Sequence, residues 1–411
     1  MEKSILITNY ELINYTGSEL NTMSIAKRFK DLGYKVYVLA MFIGEPLYSE
    51  TRDCYDEIID IVNDEFDFSR IEFDIIWAHH SFLLSWLIFE KKINAKKVIV
   101  SSLSARENFE VVPQYANDLS LVLANSQETK EKLQQEGIKD VYVLENYSFK
   151  RYFERDIKVK KLRNIAIISN HVPEELIKVK NMLENDGYRV QIYGFTGKRE
   201  LITDKVLESY DVIITIGKTV QYAMSLKIPV YVYDIFGGEG YLTLENIEKN
   251  RNKNFSGRGF EKKSSEIIYK EITQNFTKAL SIVEKIKEYA YENFCFENNI
   301  DKICKIIEEK NDVDLDKFRE EHENEKREAM LANQMFVNMK NKYSSLIQEI
   351  KDKEQEIKNL NIRREAQEAE KQNLQKEKEN IQREYEAYRT IQEQRFTNRM
   401  IRKVKRIIGR K

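Results

Sequence analysis

The stretch DVIITIGKTVQYAMSLKIPVYVYD, residues 211–234, decides the fold. Its first run, residues 212–216, is continuously apolar and β-branched, which is typical of a parallel strand covered on both faces. Gly217 then predicts a turn, and Thr219 is expected to cap a helix that ends where a second buried strand begins. The free N–H groups and positive dipole end of that helix, together with Lys218, would form an anion site. A loop in an unrelated α/β protein is the alternative interpretation of this segment taken alone.

Strand-like and helical patterns alternate on both sides of this stretch, which predicts right-handed crossovers and parallel sheets. The pattern restarts after the charged segment 150–163. The fold class is therefore α/β, with two doubly wound lobes whose ligands bind in the crevice between the carboxyl ends of the strands. A helical stretch at 264–309 is expected to close the second lobe. The predicted strands are 5–7, 36–39, 75–77, 98–100, 121–123 and 141–144 in the first lobe, and 165–168, 190–193, 212–216 and 230–233 in the second.

Composition divides the 411-residue chain further, because Glu, Lys, Gln, Asn and Arg dominate its last hundred residues. The three cysteines are odd in number and lack metal-ligand spacing, which favours reduced thiols in a cytosol. We expect no signal peptide, since Glu2 and Lys3 lead straight into a strand-length run. No stretch reaches the 18 or so apolar residues that span a bilayer, so any membrane contact would be peripheral. The predicted domains are two Rossmann-like lobes at 1–155 and 156–312, a coiled coil at 313–394 and a basic amphipathic helix at 395–411.

Three segments together resemble the GT-B glycosyltransferases, especially those like family 4. They are LITNYELINYTGSELNTMSIAKRFKDLGYKVYVLA at 6–40, LVLANSQETKEKLQQEGIKDVYVLEN at 121–146, and the glycine loop with its following strand. In that family a strand ends in Ser, a helix follows, and a second strand ends in Asn before the interdomain link; Ser126 and Asn146 match these positions. The resemblance covers roughly 1–310. It implies a first lobe beside the acceptor and a second lobe that binds a nucleotide-sugar donor.

In the first lobe, the resemblance places Thr16-Gly17-Ser18-Glu19 under the donor and beside the acceptor. Gly17 permits close backbone approach, and Ser18 is expected to cap the next helix. His79 and His80 follow a predicted strand at its carboxyl end, where a histidine can accept a proton from an acceptor hydroxyl or hydrogen-bond a sugar. Only one of the two would face the crevice. A simple helix start and a structural role for the histidines are the alternatives.

In the second lobe, Asn170 and His171 end the first predicted strand and face the crevice. The family places arginine and lysine near there to neutralise the donor diphosphate, and this chain has neither. Lys198 and Arg199 are possible substitutes, and Lys218 is the better candidate, because it adjoins a helix N-terminus that would stabilise a departing nucleoside diphosphate.

The paired glutamates of many retaining family 4 enzymes are also missing, since Tyr222 and Ile214 take their places. Two glycine-containing segments after the last strand are expected instead to wrap a ligand closely, with carboxylates for sugar or ribose hydroxyls and a guanidinium for phosphate. A flexible connecting loop is the alternative. The residues concerned are Gly237, Gly238, Glu239, Gly240, Tyr241, Glu245 and Arg258. The chemistry of the family needs neither metal nor cofactor, and the chain shows no DxD-like or His/Cys placement that argues otherwise.

A heptad pattern runs from Phe336 to Tyr388, and eleven of its sixteen a and d positions are apolar. This predicts a coiled coil that forms a homo-oligomer, with a single solvated helix as the alternative. The final segment is basic without an acid, while Phe396, Met400, Val404, Ile407 and Ile408 recur at helical spacing. It predicts an amphipathic helix on an anionic membrane surface at the inner face of the cell membrane. Nucleic-acid binding would leave its apolar stripe unexplained. Its basic residues are Arg395, Arg399, Arg402, Lys403, Lys405, Arg406, Arg410 and Lys411.

These observations predict a metal-independent glycosyltransferase with a nucleotide-sugar donor and a saccharide acceptor, either lipid-linked or a growing surface polysaccharide. A membrane-seeking end on a catalytic body favours the lipid-borne acceptor. Two alternatives stay open. The first is a noncatalytic GT-B-like assembly protein that recruits partners through the coil, which the missing glutamate pair favours. The second is a sugar-nucleotide epimerase, which would be expected to carry more acidic and histidine groups around the hexose.

Overall fold

The computed structural model describes residues 2–61, 66–159 and 161–408, and its first lobe is built on a seven-stranded sheet. The strand order is β3-β2-β1-β4-β5-β6-β7, and every neighbouring pair is parallel. The edge strand β3 was not predicted, because it is only four residues long and half polar. The strands are β1 Ser4–Leu12, β2 Lys35–Ile43, β3 Glu57–Asp60, β4 Glu72–His79, β5 Asn94–Ser102, β6 Leu121–Ala124 and β7 Val141–Val143.

The second lobe has a five-stranded sheet in the order β12-β11-β10-β8-β9. Four strands are parallel, as predicted, and β12 pairs antiparallel with β11 at the edge. The segment expected to be a ligand-wrapping loop is therefore a strand in the described structure. The strands are β8 Asn164–Ile168, β9 Arg189–Tyr193, β10 Val212–Thr215, β11 Val230–Asp234 and β12 Gly237–Tyr241.

Helices connect the strands and cover the sheets. A π-helical turn, Trp86–Glu90, continues the third helix. The α-helices are α1 Gly17–Asp31, α2 Leu47–Glu50, α3 Ser81–Ser85, α4 Gln127–Gln135, α5 Lys150–Phe153, α6 Glu174–Asn185, α7 Asp204–Leu207, α8 Lys218–Ser225, α9 Ile247–Asn252, α10 Ser265–Leu280, α11 Val283–Phe294, α12 Phe296–Glu309, α13 Leu315–Glu321 and α14 Lys326–Ile408.

The helical stretch predicted at 264–309 consists of three helices, and only the first two pack on the second lobe. The third, α12, returns to the first lobe, where Ile300, Ile303 and Ile307 join the core. The chain thus crosses between the lobes twice. The two crossings meet in a β-bridge between Ser148 and Cys295, which ties the lobes at their junction.

The segment after α12 also packs on the first lobe. Phe318 on α13 contacts the rings of Phe89 and Tyr115. On α14, Phe336 is only 4% exposed and packs against Trp86, with 5.2 Å between ring centroids. Phe336, the first predicted heptad position, is therefore a buried contact of the first lobe.

A second compact unit comprises residues 339–411, and its described part is the remainder of α14. Its predicted heptad positions are largely exposed along the helix, including Leu346, Ile350, Leu360 and Ile381. Within the described residues, no helix combines the length and the apolar character that crossing a membrane requires. Of the predicted basic segment, Arg410 and Lys411 lie outside the described residues, as do the side chains of Arg406, Ile407 and Ile408.

Candidate functional site

The turn between β10 and α8 presents an uncapped helix N-terminus. Gly217, not Thr219, is the residue before the helix, and its φ of 62° lies in the left-handed region that favours glycine. A Cβ atom added there would meet no heavy atom within 4 Å, so this side of the turn is open. The Gly217 amide donates to the Phe255 carbonyl, with 2.9 Å between nitrogen and oxygen. The amides of Lys218 and Thr219 have no acceptor among the described residues, so they remain available to an anion.

Lys218 begins α8, and its side chain reaches the junction of the lobes. Its Nζ atom is buried, has no hydrogen-bond partner among the described residues, and lies 4.2 Å from the centroid of the Tyr147 ring. Burial lowers the pKa of Lys218 to about 7. Tyr147 lies between the lobes, and its hydroxyl donates to Asn21 on α1. The structure therefore brings the predicted lysine beside both lobes, and no residue that the structure describes provides a counter-ion for its amine.

The corresponding helix start in the first lobe is closed by its own side chains. Thr16, rather than the predicted Ser18, caps α1, because Glu19 completes a capping box with it. The fully buried Glu19 carboxylate also accepts hydrogen bonds from the amides of Ile13 and Asn14, both at 2.7 Å. Gly17 is exposed, and a Cβ atom there would meet nothing within 4 Å. The α1 N-terminus thus has open space beside Gly17 but already holds a negative charge of its own.

The two adjacent histidines occupy different environments. The ring of His79 is completely buried, and neither of its nitrogens has a hydrogen-bond partner among the described residues. Burial lowers the pKa of His79 to about 3. The structure therefore places His79 inside the first lobe, and its catalytic role stays a prediction.

His80 follows β4 with a φ of 67°, an unusual conformation for a residue that is not glycine. Its Nδ1 atom accepts a hydrogen bond from the Tyr10 amide, and its Nε2 atom lies 3.6 Å from an oxygen of Glu110. Burial lowers the pKa of His80 to about 4 and raises the pKa of Glu110 to about 7. This imidazole is therefore neutral near pH 7 and faces a buried acid that the sequence did not reveal.

Asn170 and His171 lie exposed after β8, at the carboxyl edge of the second sheet as predicted. The His171 ring packs edge-on against Phe195, with 6.2 Å between centroids. The proposed cationic substitutes have other partners, since Lys198 pairs with Glu200 and Arg199 lies over the Phe195 ring.

The glycines of β12 are explained by packing. A Cβ atom on Gly238 would lie 2.0 Å from the Val232 carbonyl oxygen, and one on Gly240 would lie 2.9 Å from Glu271. The Tyr241 hydroxyl donates to the Ile272 carbonyl, and its ring belongs to the core. Gly238, Gly240 and Tyr241, which the sequence predicts to contact a ligand, are therefore explained by packing at the edge of the sheet without a ligand.

The two glutamates and the arginine predicted nearby are placed differently. Glu239 is half-buried and accepts a weak hydrogen bond from Asn250, whereas Glu245 is exposed. Arg258 reaches the first lobe, where it donates to Glu128 at 2.6 Å. Burial alone would raise the pKa of Glu128, but the Arg258 hydrogen bond and neighbouring cations lower it. The arginine predicted to hold phosphate thus joins the two lobes.

The arrangement of two such lobes is found in solved structures. The chain matches no family model and no curated protein sequence. A crystal structure of a glycosyltransferase from Rickettsia africae aligns with 75% of this chain and 99% of its own, at 16% identity and a TM-score of 0.52. The chain has the GT-B fold.

Weaker similarity extends to WaaG, a glycosyltransferase involved in lipopolysaccharide biosynthesis, and to S. aureus TarM. WaaG is 12% identical over 74% of this chain and 99% of its own, with a TM-score of 0.43. TarM is 14% identical over 70% of this chain and 59% of its own, with a TM-score of 0.35. At the two positions where many retaining family 4 enzymes carry paired glutamates, this chain has Tyr222 and Ile214. Both of these side chains are buried. Among the described residues, no group of three His, Cys, Asp or Glu side chains is placed to hold a metal ion.

Sequence reasoning missed three site residues of the GT-B lobes, namely Tyr147, Glu110 and Glu128. Each acquires its partner only through the fold: Lys218 lies 71 positions after Tyr147, and Arg258 lies 130 positions after Glu128. The one signal available was Glu110 itself, an acid between aromatic and apolar neighbours in the segment that joins the predicted strands 98–100 and 121–123.

Proposed function

We propose that the protein is a glycosyltransferase that moves a sugar from a nucleoside-diphosphate-sugar to a saccharide acceptor. The observation that carries this proposal is the α8 N-terminus at the junction of the lobes. There the turn at Gly217 is open, the Lys218 and Thr219 amides have no acceptor among the described residues, and the buried Lys218 amine has no hydrogen-bond partner among them. This combination suits a diphosphate, which requires positive charge held in a fixed position. The similarly folded Rickettsia africae protein is a glycosyltransferase, which agrees with this choice.

The proposed step breaks the bond between the anomeric carbon and the diphosphate oxygen, and the electron pair leaves with the diphosphate. The acceptor hydroxyl forms the new glycosidic bond, and its proton is released to the surrounding water, so that glycoside, nucleoside diphosphate and a proton are the products. The amides of Lys218 and Thr219 would bind the departing oxygens without reorganisation. A bound diphosphate would also raise the pKa of Lys218 and keep its amine protonated. In this proposal the helix and the lysine supply the charge stabilisation, without a metal or a cofactor.

Melting temperatures measured with UDP, GDP, dTDP and CMP test the donor site. We expect one nucleotide class to raise the melting temperature by several degrees, because a ligand that binds only the native state stabilises it. Lys218→Ala should abolish that rise, whereas the control Lys198→Ala, which removes an exposed lysine paired with Glu200, should keep it. Nucleotide release from the matching nucleotide-sugar in the presence of acceptor would then report transfer. No stabilisation by any nucleotide, or a rise that survives Lys218→Ala, would contradict the proposal.

A noncatalytic GT-B protein that binds nucleotide or glycan is the second candidate. It is favoured by one observation, the replacement of the paired glutamates by the buried Tyr222 and Ile214. Stabilisation by a nucleotide without any release from its sugar conjugate would support this candidate. A sugar-nucleotide epimerase is the less favoured enzyme, and interconversion of donor sugars without acceptor would identify it.

We further propose that the acceptor is lipid-linked or a surface polysaccharide, and that the enzyme is peripheral on the cytoplasmic face of the cell membrane. The apolar side chains of Phe396, Met400 and Val404 are exposed on α14 among basic residues. Such a helix can lie in an anionic interface, where each basic residue contributes about 1 kcal/mol. Deleting residues 395–411 should release the protein from sedimenting phosphatidylglycerol vesicles, while phosphatidylcholine vesicles serve as control. Unchanged sedimentation would contradict the proposal.

We also propose that α14 joins copies of the chain in a coiled coil. Leu346, Ile350 and Leu360 at predicted seam positions are exposed along the helix, and a partner helix would bury them. Leu360→Glu should lower the mass measured by sedimentation equilibrium toward that of a monomer, whereas Lys358→Glu outside the seam should not. A monomeric mass for the unaltered chain would contradict this interface.

A further inference from the structure

A group of four aromatic rings lies at the carboxyl edge of the first sheet. We call Tyr10, Phe42, Phe82 and Phe109 the aromatic patch. The Tyr10 and Phe109 rings are stacked, with 5.4 Å between centroids and an interplanar angle of 28°. Phe42 and Phe82 pack against Tyr10 at 5.7 and 6.1 Å. Phe109 is 56% exposed, so the patch offers an apolar surface where ligands of parallel sheets bind.

Beneath the patch lie His80 and Glu110. The His80 ring contacts Tyr10, Phe82 and Phe109, with centroids 6.2 to 6.5 Å apart. Because its Nδ1 atom accepts from the Tyr10 amide, a neutral His80 carries its proton on Nε2, which faces Glu110. One Glu110 oxygen, Oε2, accepts from the Leu103 amide at 2.6 Å. The other, Oε1, accepts no hydrogen bond among the described residues and lies 3.6 Å from His80.

The buried Glu110 carboxyl and the backbone of His80 both lower the stability of the fold, which indicates that they have a functional role. Glu110 is 8% exposed and has no lysine or arginine partner among the described residues. A buried carboxylate without a cation is unfavourable, and the left-handed backbone of His80 adds strain at the same place. Strained backbone and perturbed acids occur together mainly at functional sites.

We propose that the aromatic patch binds the C–H face of an acceptor sugar ring, and that Glu110 Oε1 accepts a hydrogen bond from a hydroxyl of that ring. This inference rests on the proposed glycosyl transfer and adds the class of acceptor group, a pyranose ring with one apolar face. Pockets for such ligands combine apolar walls with a few fixed polar atoms, as this edge does. The Leu103 amide fixes the orientation of Glu110, and His80 lies beside the carboxyl group without contacting the sugar.

Saturation-transfer difference NMR on the full chain tests the patch. The probes are the methyl glycosides of glucose, galactose, N-acetylglucosamine and rhamnose, each with and without UDP. We expect saturation of ring C–H protons in at least one glycoside. Phe109→Ala should reduce that signal about fivefold, the effect of one lost aromatic contact. Phe236→Ala, which removes another exposed phenylalanine from the second lobe, is the matched control and should leave the signal unchanged.

Glu110→Gln tests the polar part, since glutamine keeps an oxygen for the Leu103 amide while removing the charge. Its signal should fall for the same glycoside, with the native melting temperature retained or raised. Absence of signal from all four glycosides, or a signal that survives both substitutions, would overturn the inference. A stronger signal from decanol than from any glycoside would assign the patch to a lipid chain and also overturn it. Nucleotide stabilisation is measured separately, so failure here leaves the donor site standing, whereas failure of every nucleotide removes the proposed function itself.

Discussion

The two helix N-termini that border the crevice, α1 in the first lobe and α8 in the second, begin in opposite ways. Helix α1 is closed by Glu19, whose buried carboxylate accepts from the amides of the preceding loop. Helix α8 starts after Gly217, which has no side chain to act as a cap, and the Lys218 and Thr219 amides find no acceptor in the described part of the chain. A negative side chain at a helix N-terminus occupies the place that a bound anion would take. The difference therefore favours the second lobe for the proposed anionic donor.

The other side chains at the carboxyl edges of the two sheets also differ in charge between the lobes. The first edge gathers acids, a neutral His80 and the aromatic patch, which suit hydroxyl groups and apolar sugar faces. The second edge holds the Lys218 amine, which has no hydrogen-bond partner within the described ranges and suits phosphate. Arg258 and Glu128 join the two edges by an ion pair. The proposed transfer would use both kinds of surface, one for the acceptor and one for the donor.

Removing the carboxylate that closes α1 should have the largest effect. We expect Glu19→Ala to lower the free energy of unfolding by about 3 kcal/mol, because it leaves several amides and the capping hydroxyl of Thr16 without their acceptor. Urea denaturation measures this change. Glu245→Ala, which removes an exposed carboxylate from the other edge, should alter stability by less than about 0.5 kcal/mol. Similar losses for both variants would show that the two edges do not differ in this way.

Removing the Lys218 amine at the start of α8 should instead raise the free energy of unfolding. Burial lowers the pKa of Lys218 from 10.5 to about 7, so the unfolded chain binds more protons between these values and stability rises with pH. Lys218→Met should therefore stabilise the protein by about 2 kcal/mol at pH 7, and the gain should disappear above pH 10.5. Melting temperatures of both proteins at pH 7, 9 and 11 measure it. Lys198→Met is the exposed control, and a destabilised Lys218→Met at pH 7 would mean that the amine has a partner in solution.

Much of this contrast can be predicted from sequence, because α8 and its turn are local features. The run at 212–216, Gly217 and Lys218 predict the strand, the turn and the basic residue, and all three are found. The edge strand β12 could not be predicted, because GGEGY lacks the β-branched residues typical of strands. Its glycines are required by a close approach to Val232 that only the folded sheet creates. Similarly, Thr16 rather than Ser18 caps α1. This position depends on the capping box between Thr16 and the Glu19 carboxylate, which forms only in the folded structure.

The buried acid at the first edge gives the smallest expected effect. Burial raises the pKa of Glu110 from 4.5 to about 7, so its contribution to stability is fully present below pH 4.5 and is lost as the pH rises through 7. Glu110→Gln should therefore stabilise the protein by about 1 kcal/mol at pH 8 and have little effect at pH 4.5. The titratable groups near it are His80 and Glu107, and both are unchanged in the variant. The control Glu107→Gln removes an exposed neighbour on the same loop and should show no such pH dependence. A gain for Glu110→Gln that is equal at both pH values would mean that this carboxyl is ionised throughout, and the first edge would then carry a fixed negative charge rather than an acid that titrates near neutrality.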